Sequence, residues 1–264
     1  MESLKTVFHR IRPGNGEPSP TPTDTAAPLP SKKPAVAACS NCRDIGWLLT
    51  DERDRDNMPM TTACLECPKG IESWRQSVGL KVGERIPTFD DFDPRRQPGV
   101  EDRRKADLAW SCAMGWALDE MQCLVLSGPV GVGKSHLAKA ALWHAAGRGI
   151  RGMYLTMAAF DHQVKDFEAR PWVQERRRQA LFTVSRLVID DLGSGNREGS
   201  AFVQEKLAEM FDERYRTGLN TLVTTNLTEQ DFASAIGVRS WDRVSEHGRF
   251  AYMPGESMRR SIRG

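Results

Sequence analysis

An α/β fold with a parallel sheet of five strands is what this 264-residue sequence predicts, behind a small cysteine-bearing module. Three observations carry that expectation. Five short apolar runs recur, at 123–128, 152–157, 186–191, 221–226 and 249–254, with helical segments at about 134–147, 158–184, 199–217 and 228–247 between them. Runs that are apolar throughout suit strands covered on both faces, and strand–helix alternation implies a parallel sheet with right-handed crossovers. A glycine-rich turn joins the first run to the first helix, and two Cys-x-x-Cys pairs lie well upstream.

Residues 1–12 place Leu4, Val7, Phe8 and Ile11 at helical spacing, opposite Glu2, Lys5, His9 and Arg10. About three turns with one apolar stripe cannot stand alone. The segment reads as an amphipathic docking helix that needs a partner, or as a frayed terminus. Residues 13–37 carry seven prolines between Pro13 and Pro34, among Ser, Thr, Gly and Ala. Such a stretch builds no core and reads as an extended tether, at about 3.1 Å per residue.

Residues 38–75 hold Cys39, Cys42, Cys64 and Cys67, two Cys-x-x-Cys turns separated by 21 residues. Each turn aims two thiolates at one point, and two turns complete a four-thiolate tetrahedral site for structural Zn²⁺. A redox pair or unrelated thiols are the alternatives. The segment is poor in large apolar residues, so a metal staple suits it. Cys112 and Cys123 lie among apolar residues and read as core thiols. Residues 76–100 read as a polar linker whose Phe89 and Phe92 dock on the next domain, 101–264. That domain opens with a helix expected over Glu101–Met121.

The first apolar run leads into Gly128-Pro129-Val130-Gly131-Val132-Gly133-Lys134-Ser135, followed by His136. This fits GxxxxGK[ST] between a strand and a helix, the context that a phosphate-binding loop requires. Its N–H groups and the helix N-terminus suit nucleotide phosphates. Lys134 is expected to reach the β- and γ-phosphates of ATP and Ser135 to ligate Mg²⁺. The third run ends in Asp190-Asp191. Asp190 is expected to hold Mg²⁺ through water, and Asp191 to orient or deprotonate the attacking water. A capped turn into Gly193 is the other reading. Asn226, after Thr224 and Thr225 at the end of the fourth run, can touch the γ-phosphate or the water, although Thr-Asn also starts turns.

Arg239 and Arg243 lie four apart and share a helical face. They form a solvated basic face, or supply positive charge to a phosphoryl-transfer site on a neighbouring subunit. Between the second and third runs, Arg170, Trp172, Arg176, Arg177 and Arg178 suit single-stranded nucleic acid, or a solvated helix.

Composition sets limits. With 37 Lys and Arg against 35 Asp and Glu, the formal charge is +2, so any nucleic-acid surface is a local patch. No apolar stretch is long enough to span a membrane, and the N-terminus lacks the apolar run of a signal peptide. A cytoplasmic protein with reduced thiols is the expectation.

Together LVLSGPVGVGKSHLAKA, LVIDDLG, LVTTNLTEQDF and DRV…MPGESMR resemble the AAA+ P-loop NTPase core of DnaC/DnaI-type replicative helicase loaders, which IstB-type transposition helper ATPases share. The resemblance covers about residues 85–264; its more specific parts are the TTN strand end, the EQDF-type helix and the ending Gly255, Ser257, Arg259. It implies an ATPase that hands a ring helicase onto single-stranded DNA, with a transposition helper, or a zinc-dependent adaptor without turnover, as alternatives. It further implies Asn226 as sensor 1, Arg243 as an arginine finger acting in trans within a homo-oligomer, Arg239 as its runner-up, Arg259 as a partial sensor-2 substitute, and no large C-terminal lid. Asp191 departs from the Glu that many AAA+ proteins carry, and the shorter side chain suits slow, switch-like hydrolysis.

Overall fold

The computed structural model describes residues 39–43, 46–53, 59–81, 83–169, 180–193 and 201–258. All fall in the unit Ala37–Gly264, the second of two into which the chain divides. The expected docking helix at 1–12, the tether at 13–37, the segment Arg170–Arg178 and Arg259 lie outside the described residues.

Strands β1 (Trp47–Arg53) and β2 (Pro59–Ala63) form an antiparallel pair. Helix α1 (Pro68–Ser77) follows, with Pro68 where no backbone N–H is needed. Two short 3₁₀ turns, Phe89–Asp91 and Pro94–Arg96, precede α2 (Val100–Ala117), whose first turn carries Glu101 and Asp102 against the helix dipole. α2 ends four residues before the expected Met121. Leu118, Asp119 and Glu120 turn their N–H groups back onto the carbonyls of Met114, Gly115 and Trp116, with Asp119 in the left-handed region.

The remaining elements are β3 (Cys123–Ser127), α3 (Lys134–Gly147), β4 (Gly152–Thr156), α4 (Met157–Ala169), β5 (Arg186–Leu192), α5 (Ala201–Arg216), β6 (Asn220–Thr225), α6 (Glu229–Ile236), α7 (Val238–His247) and β7 (Gly248–Tyr252). The five runs are five strands of one parallel sheet, in the order β4-β5-β6-β3-β7. The helix expected over 228–247 is two helices. Gly237, at φ +85° and ψ 143°, ends α6 and starts α7, a conformation closed to a side chain with a Cβ.

Alternate residues along the strands feed two cores. Leu124, Leu126, Val188, Leu222 and Ala251 face α2 and α3. Cys123, Val125, Leu187, Ile189 and Val223 face the other way, with Phe160 of α4, Phe211 of α5 and Phe232 of α6. This two-sided burial is why the strands read as unbroken apolar runs. Cys112 and Cys123 are both buried. Trp74 and Val78 at the end of α1, with Phe89 and Phe92, belong to the first core, and the Trp74 ring meets Trp143 of α3 edge-on at 4.6 Å.

Candidate nucleotide site and cysteine cluster

β3 lies between β6 and β7, while the next strand in sequence, β4, lies at the far edge. The chain therefore reverses direction across the sheet at the carboxyl end of β3, where open α/β sheets form their ligand crevice. The loop Gly128–Gly133 stands there. Gly128, Gly131 and Gly133 all have positive φ, of 144°, 90° and 105°. Gly128 is required twice over, because a Cβ there would come within 2.1 Å of the Met253 carbonyl oxygen. Val132 is buried, Val130 is exposed, and the loop is curled around Lys134. The Lys134 ammonium donates to the carbonyls of Gly128 at 2.7 Å and Pro129 at 2.8 Å.

Behind the loop, one carboxylate gathers three hydroxyls. Ser135 Oγ donates to Asp190 Oδ1 at 2.8 Å, and Thr224 Oγ1 donates to the same oxygen at 2.5 Å. Tyr154 Oη donates to Asp190 Oδ2. Asp190 is buried, and Asp191 beside it is exposed. A bulge produces that difference. Ile189 pairs with Val223 and Leu192 with Thr225, so β5 spends three steps where β6 spends two. Asp191 takes φ +67° within the bulge and donates its N–H to Thr224 Oγ1 at 2.9 Å. Bulges beside active sites re-aim side chains in this way. Asn226 is exposed just past the end of β6.

Ser135 and Asp190 bring hard oxygen donors together behind the phosphate loop, the donor type that Mg²⁺ selects, so these residues fit the expected cation.

Residues 253–258 lie along the loop. The N–H of Met253 donates to Ser127 O at 2.7 Å and that of Met258 to Gly131 O at 3.0 Å. Buried Gln97 accepts the Glu256 N–H at 3.1 Å. Gly255 and Ser257 of the GxSxR ending therefore sit against the loop, with Gln97 and Gly131 as their neighbours. His136 turns its Nε2 to Thr88 O at 2.9 Å, so its ring is engaged with the segment before α2. Phe92 covers Gly133.

Arg239 and Arg243 lie on α7. Arg239 is exposed near the start of the helix. Arg243 pairs with Asp212 of α5 at 2.6 Å, lies over the Tyr215 ring, and borders a depression with Gln122, Cys123 and Thr221, at the amino ends of β3 and β6.

The four cysteines form one buried cluster whose Sγ atoms all lie within 4.8 Å of one another. Cys39 and Cys64 are 3.8 Å apart and Cys42 and Cys67 are 3.4 Å apart. Zn–S bonds of about 2.3 Å place tetrahedral sulfurs about 3.8 Å apart, so the cluster fits zinc. The N–H groups of Gly46 and Gly70 donate to Cys42 Sγ and Cys67 Sγ, each at 3.4 Å, the support that bound thiolates take from their surroundings. Asn41 donates to Glu66 across the two turns. Burial raises the Cys64 thiol to about 12. At Cys42 burial acts the same way, but hydrogen bonds from Gly46 and the neighbouring sulfurs outweigh it and bring the thiol to about 7.

Tyr154, Thr224 as a carboxylate ligand, the β5 bulge and Gln97 were not singled out as site features from sequence. Tyr154 sits in an apolar run and looks like core, and a bulge leaves no mark in composition.

The IstB-like ATP binding protein family matches residues 75–263. The chain is 35% identical over 147 residues to an insertion-sequence ATP-binding protein of Mycobacterium tuberculosis, a match that covers 54% of each chain, so it spans about half the length of that relative. Among solved structures it is similar to the DnaC helicase loader, with a TM-score of 0.54 and 23% identity over 63% of this chain and 96% of that one. It is likewise similar to domain III of the Thermotoga maritima replication initiation protein DnaA, with a TM-score of 0.54 and 24% identity over 68% and 72%. At these identities the structural likenesses speak to the fold.

Proposed function

The chain belongs to the IstB-like ATP-binding protein family, and from that premise we propose that it is an ATP-hydrolysing switch that loads a replicative ring helicase onto single-stranded DNA in the cytoplasm. The observation that carries the ATP reading is the joining of the glycine loop to a buried acid, with Ser135 at the head of α3 hydrogen-bonded to Asp190 at the end of β5. Lys134 and the loop N–H groups hold the phosphates. Ser135 and Asp190 hold Mg²⁺, which when bound neutralises phosphate charge. Asp191, exposed on its bulge, orients the attacking water, with Asn226 at the adjoining strand end. Arg243 completes the site of a neighbouring copy, and Arg259 serves as a partial sensor-2 substitute. The four cysteines bind one structural zinc, and Arg176–Arg178 with Trp172 contact single strands.

The helicase-loading reading draws on the cysteine module ahead of the core and on the sequence pattern of residues 1–12, tethered by the proline-rich stretch. Helix-in-groove docking suits that pattern. A second reading, a transposition helper that engages a transposase on duplex DNA, is favoured by the names of the relatives, which are insertion-sequence ATP-binding proteins. Co-precipitation separates the two. The full chain is expected to retain a ring helicase, and deletion of residues 1–12 to abolish that retention with ATPase activity and zinc content intact. Retention of a transposase, and of no helicase, overturns the loading reading.

A further inference from the structure

Tyr154 stands on β4, the edge strand beside β5. In the register of the pair, Thr156 is opposite Asp190 and Tyr154 opposite Val188, so the Tyr154 ring lies on the same sheet face as Asp190, one step along the diagonal. The side chain is buried, and its ring lies under the Lys139 ammonium of α3, 5.0 Å from the centroid. A phenylalanine would fill this place as well. A hydroxyl here is costly to bury unless it is hydrogen-bonded, and it donates to Asp190 Oδ2.

The two oxygens of Asp190 are therefore treated differently. Oδ1 takes Ser135 and Thr224, the first of which is the expected Mg²⁺ ligand, and Oδ2 is held by Tyr154 from the opposite side. When Ser135 turns to the cation, Tyr154 and Thr224 still grip the carboxylate and hold Oδ1 toward the phosphate loop. We propose that Tyr154 is a positioning residue for Mg²⁺, fixing the rotamer of Asp190 through its hydroxyl. The inference rests on the reading of this site as one for ATP and Mg²⁺. Losing an outer partner of a metal ligand commonly weakens metal binding 10- to 100-fold.

The test uses the full chain and a fluorescent N-methylanthraniloyl ATP, with Mg²⁺ titrated from an EDTA-buffered start. Tyr154→Phe is expected to raise the half-saturating Mg²⁺ concentration about tenfold or more, with nucleotide affinity in EDTA unchanged. An unchanged Mg²⁺ dependence overturns the proposal, as does an equal loss with and without Mg²⁺, which marks a structural role only. Wild-type protein that binds no analogue removes the ATP reading, and the inference falls with it. Should Tyr154→Phe fail to fold, the unaltered chain gives a second measurement. It has three tyrosines, so ζ-¹³C labelling with Tyr215→Phe and Tyr252→Phe assigns Tyr154 by elimination. Its resonance is expected to move when Mg²⁺ joins bound ADP, and a resonance that stays still overturns the proposal.

Discussion

A carboxylate that must meet a divalent cation in one geometry needs both oxygens accounted for, and Asp190 has three hydroxyls on two oxygens. Its neighbour is placed differently: Asp191 is exposed, and its backbone is re-aimed by the bulge. Lys134→Ala is expected to weaken ATP binding by about 3 kcal/mol, roughly 100-fold or more, because it removes the charge facing two phosphates. Asp191→Asn is expected to leave binding intact and to lower turnover roughly 100-fold or more. Equilibrium binding and a phosphate-release assay separate the two; parental turnover in Asp191→Asn would refute its assigned role. The loop, Ser135 and the acid pair were legible in the sequence because their chemistry demands fixed residue types at fixed offsets from a strand end. Tyr154 and Gln97 were not. Each acts through a partner distant in sequence, Asp190 in one case and the Glu256 N–H in the other, and only strand register and tail path bring those partners close.

Elements were legible to the degree that burial imposed a pattern. β3 and β6 are buried along their whole length, and each stood out as an apolar run. The break at Gly237 was missed, because an isolated glycine within a helical pattern is tolerated often enough not to mark an end. The cysteine module was legible from spacing alone, but its attachment was not. Cys67 caps α1, and α1 carries Trp74 and Val78 into the core shared with α2 and α3. The cluster is thereby linked to the core of the ATP-binding domain. The expected outcome is one zinc per chain by elemental analysis, lost in Cys64→Ser. Because α1 then loses its anchor, removal of the metal should also lower the unfolding temperature of the whole core, since withdrawing a buried tryptophan costs about 3–5 kcal/mol. A folded preparation without zinc, or one whose melting ignores chelation, contradicts this.

At the scale of the whole molecule, the sheet separates the phosphate loop from Arg243, the arginine proposed to serve as a finger. The phosphate loop stands at the carboxyl end of β3, and Arg243 borders the amino ends of β3 and β6, paired with Asp212. A strand of five residues at about 3.3 Å each keeps them roughly 15 Å apart, well beyond a hydrogen bond, so Arg243 cannot serve the loop of its own chain. If it serves a nucleotide at all, it serves one bound by a neighbouring copy, and it must leave Asp212 to do so. That argument predicts complementation. Arg243→Ala keeps its own phosphate loop but offers no finger, and Lys134→Ala keeps its finger but holds no ATP. Each is expected to be inactive alone, because a ring or filament of identical chains then lacks one half of every site. Mixed in equal amounts, the two should recover a fraction of parental turnover, since some junctions then pair an intact loop with an intact arginine. The recovery should rise with protein concentration, as assembly does. Single-turnover measurement on mixtures at several concentrations checks this. A mixture no more active than its components would show that Arg243 belongs to the α5–α7 contact alone, and would turn attention to the exposed Arg239 on the same helix.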